Sequence, residues 1–125
     1  MQRPISSRRH GLMDCAYGTA LLLLPLLFNW GPGARRLACS AGAATLISTL
    51  LTNYEYGLLP VLSMKSHLAL DATQTSVLLS APARLGPDER RAASVLAAFG
   101  AAGAAVVALT RARSSREARA RPAWV

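Results

Sequence analysis

The chain has 125 residues, which is long enough for one domain and too short for two ordinary ones. Hydrophobic residues make up 52% and charged residues 16%, below the roughly 25% of soluble domains, so the composition argues against an ordinary soluble domain. The formal net charge of +8 would favour nucleic-acid binding, but the basic residues flank apolar segments without interleaved aromatic residues, and no nucleic-acid partner is expected.

Four apolar segments follow one another along the chain, after a polar N-terminal segment over residues 1–8. Each has about the 17 to 25 residues that a bilayer crossing requires. Breaks at Gly31-Pro32-Gly33 and Gly86-Pro87-Asp88 separate them within each half of the chain. A basic tail over residues 111–125 follows and is expected to be disordered in the cytoplasm. The four predicted spans are 9–29, 36–53, 64–82 and 91–110.

An internal repeat relates the two halves of the chain, because three residue types recur with the same offset of 57 residues. This recurrence predicts a duplication, with repeat one at 9–53 and repeat two at 64–110, together forming a membrane domain over 9–110. Since each repeat has two spans, both copies point the same way and are related by an axis along the membrane normal. The recurring residues are His10, Asp14 and Pro25, then His67, Asp71 and Pro82.

The predicted fold is therefore all-α, an integral membrane four-helix bundle made of two parallel two-helix repeats. Nine basic residues lie on the side of the termini and five on the other, so the positive-inside rule predicts cytoplasmic termini in a multi-pass protein of the bacterial inner membrane. The second and fourth spans are rich in Ala and Gly, which let membrane helices approach closely. The expected partners are the lipid bilayer and, through the Ala and Gly faces, a second copy of the chain.

A polar cluster is predicted at the cytoplasmic side of this bundle. Each His-Asp pair is four residues apart and so shares a helix face, and the parallel repeats place both pairs at one depth. Gln74 continues the polar stripe of the third span, and the connecting loop brings Tyr54 and Glu55 to the same side. The candidate residues are His10, Asp14, Tyr54, Glu55, His67, Asp71 and Gln74.

Three functions remain open for these residues. As a structural device, each pair would bond within its helix and to the neighbouring repeat in a protein of interaction function, with no cofactor and no enzymatic activity; this reading is preferred. As a ligand site, His10, Asp14, His67 and Asp71 would bind zinc, iron or manganese, or the two histidines would ligate haem. As a small transporter or proton-handling protein, the stripe with Gln74 would line a path.

Several segments resemble the SPW repeat family of small bacterial membrane proteins, in which a two-helix unit occurs twice. The resemblance covers most of residues 8–110, although the Ser-Pro-Trp signature is replaced by Leu24-Pro25-Leu26 and Ala81-Pro82-Ala83. It implies a membrane location and a helical fold, and it indicates no particular biochemical activity. The matching segments are His10-Gly11-Leu12-Met13-Asp14, Thr52-Asn53-Tyr54-Glu55-Tyr56-Gly57-Leu58 and Met64-Lys65-Ser66-His67-Leu68-Ala69-Leu70-Asp71.

Overall fold

The computed structural model describes residues 3–120, and the regular secondary structure of this part of the chain is entirely helical. The all-α prediction is confirmed, and a long helix lies at each predicted span. Two segments, Ser7–Leu27 and Pro87–Leu109, are long and apolar enough to cross a membrane. The helices are α1 (Ser7–Leu27), α2 (Pro32–Leu51), α3 (Met64–Leu79), α4 (Ala81–Arg84), α5 (Arg90–Leu109) and α6 (Ser115–Arg119), with a 3-10 turn at Pro87–Glu89.

The first and third helices begin in the same way, which sets the depth of the residues that follow. Ser6 caps α1 by accepting a hydrogen bond from Arg9 N, and Ser63 caps α3 by accepting one from Ser66 N. A serine hydroxyl at this position satisfies a backbone N–H that has no partner inside the helix. Because both caps precede a His by four residues, the two His-Asp pairs lie at corresponding positions on their helices.

Each helix pair packs closely through glycine. A Cβ atom on Gly42 of α2 would lie 2.7 Å from the Gly18 carbonyl oxygen of α1. A Cβ atom on Gly100 of α5 would lie 2.8 Å from the Thr75 carbonyl oxygen of α3. Only glycine permits backbones to approach this closely, so these small residues pack helices together within the chain.

Short backbone bridges close the end at which α1 and α3 begin and α2 and α5 finish, named here the cap end. Ile5, two residues before α1, makes two backbone hydrogen bonds to residues at the end of α5. Leu62, two residues before α3, makes the same two bonds to residues at the end of α2. The two sets of bonds correspond in donor and acceptor, which places the helix ends at one level. They join Ile5 to Leu109 and Arg111, and Leu62 to Leu51 and Asn53.

Two apolar clusters lie on either side of the His and Asp residues. A smaller one at the cap end consists of Tyr54, Met64 and Leu68. The larger one fills the opposite half of the molecule, where Leu21, Leu78 and Leu96 have no exposed surface. The polar residues between them are therefore largely buried.

The tail differs from the expected disorder over residues 111–120, while residues 121–125 lie outside the described part. Ser114 and Glu117 form a capping box that starts α6. Glu117 Oε1 also accepts a hydrogen bond from Met64 N at the start of α3, and Ser114 Oγ donates to the Asn53 carbonyl oxygen. These contacts hold the tail over the cap end, and no apolar periodicity in the sequence indicates them. Residues 1 and 2 of the predicted N-terminal segment also lie outside the described part.

Candidate metal centre

The structure brings together two histidines and two aspartates, one pair from α1 and one from α3. His10 and Asp14 occupy one face of α1, and His67 and Asp71 occupy the corresponding face of α3. All four residues are buried. The sequence predicts that the two pairs lie at the same depth. The structure shows in addition that the two helix faces point toward each other in the interior.

Four side-chain atoms of this cluster converge. The two His Nε2 atoms lie 3.2 Å apart. The distances between repeats are the shorter ones, 3.0 Å from His10 Nε2 to Asp71 Oδ2 and 2.9 Å from His67 Nε2 to Asp14 Oδ2. The corresponding distances within each helix are 3.3 and 3.1 Å. One ligand atom from each residue can be chosen so that all four lie within 4.8 Å of one another.

Two threonines hold the other nitrogen of each imidazole. Thr110 Oγ1 lies 2.9 Å from His10 Nδ1, and Thr52 Oγ1 lies 2.8 Å from His67 Nδ1. Each hydroxyl donates its own hydrogen to the carbonyl oxygen four residues earlier, at 2.6 Å in both cases. A hydroxyl whose hydrogen is used in this way can only accept from the imidazole, so each Nδ1 carries a hydrogen.

The tautomer that this arrangement imposes decides what the cluster can bind. When Nδ1–H donates to threonine, the Nε2 atom of a neutral imidazole carries a lone pair and no hydrogen. Two such lone pairs and two carboxylate oxygens then face one another across about 3 Å in a buried space, where uncompensated repulsion is costly. A positive charge at the centre relieves this repulsion, and it is supplied either by a metal ion or by protons on the two Nε2 atoms.

Donor atoms and spacing both fit a first-row divalent metal. Imidazole nitrogens with carboxylate oxygens are ligands of zinc, iron and manganese. An ion bound at 2.0 to 2.1 Å in tetrahedral geometry has ligand atoms about 3.3 Å apart. The observed His–Asp and His–His separations of 2.9 to 3.3 Å are close to this value. Thr52 and Thr110 would complete the site, since metal-bound histidines donate their second N–H to an oxygen acceptor.

Haem does not fit the same residues. Two imidazoles that ligate one iron from opposite faces at the bond lengths above place their Nε2 atoms about 4 Å apart, with the porphyrin plane between them. Here the Nε2 atoms are 3.2 Å apart, and each carboxylate lies 2.9 to 3.3 Å from both of them. The haem alternative is therefore not supported by the geometry.

A cavity of about 30 Å³ adjoins the cluster on the side away from the cap end. This volume holds one or two water-sized molecules. Asp14 and Asp71 form part of its wall, and 10 and 11% of their side-chain surfaces are exposed. The cavity is lined by His10, Met13, Asp14, Tyr17, Thr45, Asp71, Gln74, Thr75, Gly103, Val106 and Val107.

The other predicted site residues surround the cluster in different ways. Gln74 lines the cavity and donates from Nε2 to Thr45 Oγ1. Tyr54 is fully buried, with its ring centroid 5.5 Å from that of His67. Its hydroxyl has no hydrogen-bond partner within residues 3–120, and burial raises the pKa of this phenol.

Glu55 lies at the cap end and does not reach the cluster. Its carboxylate accepts a hydrogen bond of 2.8 Å from Ser7 Oγ at the start of α1. Partial burial opposes ionisation, but hydrogen bonds from its own backbone N–H and from Ser7 lower the pKa of the carboxyl below 4.5. Glu55 therefore fastens the loop after α2 to the first turn of α1 and belongs to the closure of the cap end.

Sequence reasoning missed the two threonines. Thr52 and Thr110 follow the last residues of α2 and α5 and are 58 residues apart, one more than the 57 of the His-Asp pairs. An alignment with one inserted residue between the helices of the second repeat would have paired them.

Comparison of the chain with known protein families, curated proteins and solved structures finds no match.

Proposed function

We propose that this chain is a small integral membrane protein that binds one divalent metal ion, with zinc as the best-fitting metal, between two duplicated helix pairs. The observation that carries the proposal is the convergence of two Nε2 lone pairs and two carboxylates, with both Nδ1 atoms held by threonine. The ligands are His10, Asp14, His67 and Asp71. Thr52 and Thr110 orient the imidazoles.

The distribution of charge supports insertion of all four long helices in a bilayer. Residues 10–34, 37–54, 66–83 and 92–110 contain no Lys, Arg or Glu, and their only Asp and His residues are the four of the cluster. Large apolar side chains are exposed along the same helices, as expected where the surrounding medium is lipid. They include Leu12, Leu23, Leu26, Ile47, Leu70, Val95 and Leu109.

A duplication accounts for the corresponding contacts of the two halves. The serine caps occur once in each half. The backbone bridges and the threonine–histidine bonds each join one half to the other and occur twice, between residues that correspond at offsets of 57 or 58. We also propose that the chain is related to the SPW repeat family, which it resembles. A duplicated unit that carries His, Asp and Thr at one end makes a two-histidine, two-aspartate site whenever the two copies pack face to face.

We propose a location in the bacterial inner membrane with the cap end in the cytoplasm. Within residues 3–120 the cap end has eight basic residues and the opposite end has five, and the cytoplasmic side is usually the more basic. A reporter that is active only in the cytoplasm should be active when fused after Asn53 and inactive when fused after Gly31. The reverse pattern would contradict this orientation.

The structural reading of the same residues is the principal competitor. In that reading both imidazoles are protonated, and each donates to the carboxylate of the other repeat without any metal. Two imidazolium N–H groups would then lie with their nitrogens 3.2 Å apart. Four His–Asp attractions at 2.9 to 3.3 Å offset this contact between like charges, and one central metal ion supplies the same positive charge without the contact. Transport has less support, because Leu21, Leu78 and Leu96 fill the interior on the far side of the cavity.

Metal analysis of the protein purified in detergent tests the proposal. The wild type should bind one zinc ion, and saturating zinc should raise its unfolding temperature, since an ion at 100 times its Kd adds about 2.7 kcal/mol. Asp71→Asn keeps the side-chain shape and removes a ligand charge, so it should lose both effects. Asp88→Asn, an exposed acidic residue at the opposite end, is the matched control. A folded wild type that binds no divalent metal would refute metal binding and leave the protonated cluster.

A further inference from the structure

We infer that a metal ion in this cluster has an open coordination position facing the adjoining cavity, and that the position takes a small neutral hydrogen-bond donor, with water as the resident ligand. The inference rests on the proposed metal site and goes further. It assigns an exchangeable ligand and its chemical class, whereas a purely structural site with four protein ligands would be closed.

The spacing of the protein ligands leaves one side of an ion free. Five separations among the four ligand atoms lie between 2.9 and 3.3 Å. For an ion at about 2.05 Å these separations subtend angles of about 90 to 107°, below the roughly 109° of a tetrahedron. Five angles this small require a wider angle between the two aspartate oxygens, and a further ligand can bind in that wider gap.

The cavity lies where such a ligand would be. Three of the four cluster residues, His10, Asp14 and Asp71, belong to its wall. Its volume of about 30 Å³ admits one or two water-sized molecules. The opposite approach to the cluster, from the cap end, is occupied by Tyr54, whose ring packs against His67.

The polar groups of the cavity wall select the chemistry of the ligand. The hydroxyl hydrogens of Tyr17, Thr45 and Thr75 are donated to the carbonyl oxygens of their backbone partners, so these hydroxyls present lone pairs. The carboxylates of Asp14 and Asp71 present lone pairs as well. The amide nitrogen of Gln74 in the same wall donates to Thr45 Oγ1, so a ligand that donates hydrogen bonds is matched to the remaining lone pairs.

Charge balance excludes an anion at the same position. A divalent cation with two aspartates is neutral, so an added anion would leave a net negative charge in a buried site beside two carboxylates. Water satisfies both conditions, because it is neutral and donates two hydrogen bonds. The two halves of the chain also differ here: Gly103 in α5 occupies the position that corresponds to Thr45 in α2, and a Cβ atom there would lie 3.1 Å from the Tyr17 hydroxyl oxygen.

The test uses the full-length protein loaded with Co²⁺, whose visible spectrum reports ligand number and identity. Hydroxylamine, a small neutral donor, should change the spectrum of the wild-type protein, and azide, an anion of similar size, should not. Val106→Leu adds volume to the cavity wall without changing a ligand. It should still bind one Co²⁺ and should lose at least nine-tenths of the hydroxylamine response. Val95→Leu makes the same change at an exposed position of α5 and is the matched control.

Each outcome decides between the alternatives. Stoichiometric Co²⁺ with no hydroxylamine response would overturn the open position and leave metal binding intact. An azide response as large as that of hydroxylamine would overturn the assigned ligand class. Failure to bind Co²⁺ would overturn the metal site and this inference with it. If Val106→Leu does not fold, the electron paramagnetic resonance spectrum of Mn²⁺ bound to the wild type in ¹⁷O-water tests for the resident water. Lines that are not broadened by ¹⁷O would refute a metal-bound water.

Discussion

Replacement of Thr110 by Val tests whether a threonine hydroxyl sets the metal-binding tautomer of His10. Valine has nearly the same shape and lacks the oxygen that lies 2.9 Å from His10 Nδ1. Only 1% of His10 is exposed, so water has little access to the Nδ1–H that loses its acceptor. An unsatisfied buried donor costs about 1 to 3 kcal/mol. The lone pair on Nε2 is then no longer enforced.

The expected loss of zinc affinity is about 10- to 100-fold, the range found when an oxygen acceptor behind a metal-bound histidine is removed. This corresponds to about 1.4 to 2.8 kcal/mol of binding free energy, in line with the cost of the unsatisfied donor. Thr52→Val should have an effect of the same size through His67, because Thr52 Oγ1 lies 2.8 Å from His67 Nδ1. Competition between the purified protein and a chromophoric zinc chelator measures both losses.

Thr73→Val is the matched control for these variants. Thr73 also donates to the carbonyl oxygen four residues earlier, but its side chain is exposed and contacts neither histidine. Its substitution should therefore change zinc affinity less than twofold. If Thr110→Val retains the affinity of this control while Asp71→Asn loses zinc, the threonine does not set the tautomer of His10.

Two further predictions concern the cap end. Gly11→Ala should lower the unfolding free energy by about 1 to 3 kcal/mol, because its Cβ would lie 2.6 Å from Tyr54 Cε2; Gly86→Ala has open space and should cost nothing in the same denaturation assay. Glu55→Gln should remove a pH dependence of stability. Because the folded-state pKa of Glu55 is lowered, its stabilisation is present above 4.5 and is lost as the pH falls through the folded value. Between pH 7 and pH 3.5 the unfolding temperature of the wild type should thus fall further than that of Glu55→Gln. An equal fall in both proteins would contradict the stabilising role of the bond between Glu55 and Ser7.

The sequence alone accounts for much of the helical architecture. Apolar spans between charge clusters marked all four long helices to within a few residues, since a continuous apolar run and a Gly-Pro break act locally. Pro82 stands in the first turn of α4, just after α3 ends, while Pro25 stays inside α1. These are also local effects of a residue that fixes its own φ and lacks an N–H.

The candidate site was predictable only in part. The 57-residue offset and the serine caps determine that His10 and His67 lie at one depth, because helix rise per residue is constant. A spacing of four residues determines that each His shares a face with its own Asp. Nothing in these periodicities determines which faces of two helices meet, since rotation about a helix axis is set by packing between helices.

Tertiary structure decided the rest. The close approach of Gly18 to Gly42 within one helix pair, and of Gly100 to α3 in the other, holds each pair in a fixed rotation. That rotation turns both His-Asp faces inward, brings the Nε2 atoms to 3.2 Å and aligns Thr52 and Thr110 behind the imidazoles. The sequence by itself determined where along each helix the four ligands lie, and packing between helices determined that they face one another beside a cavity.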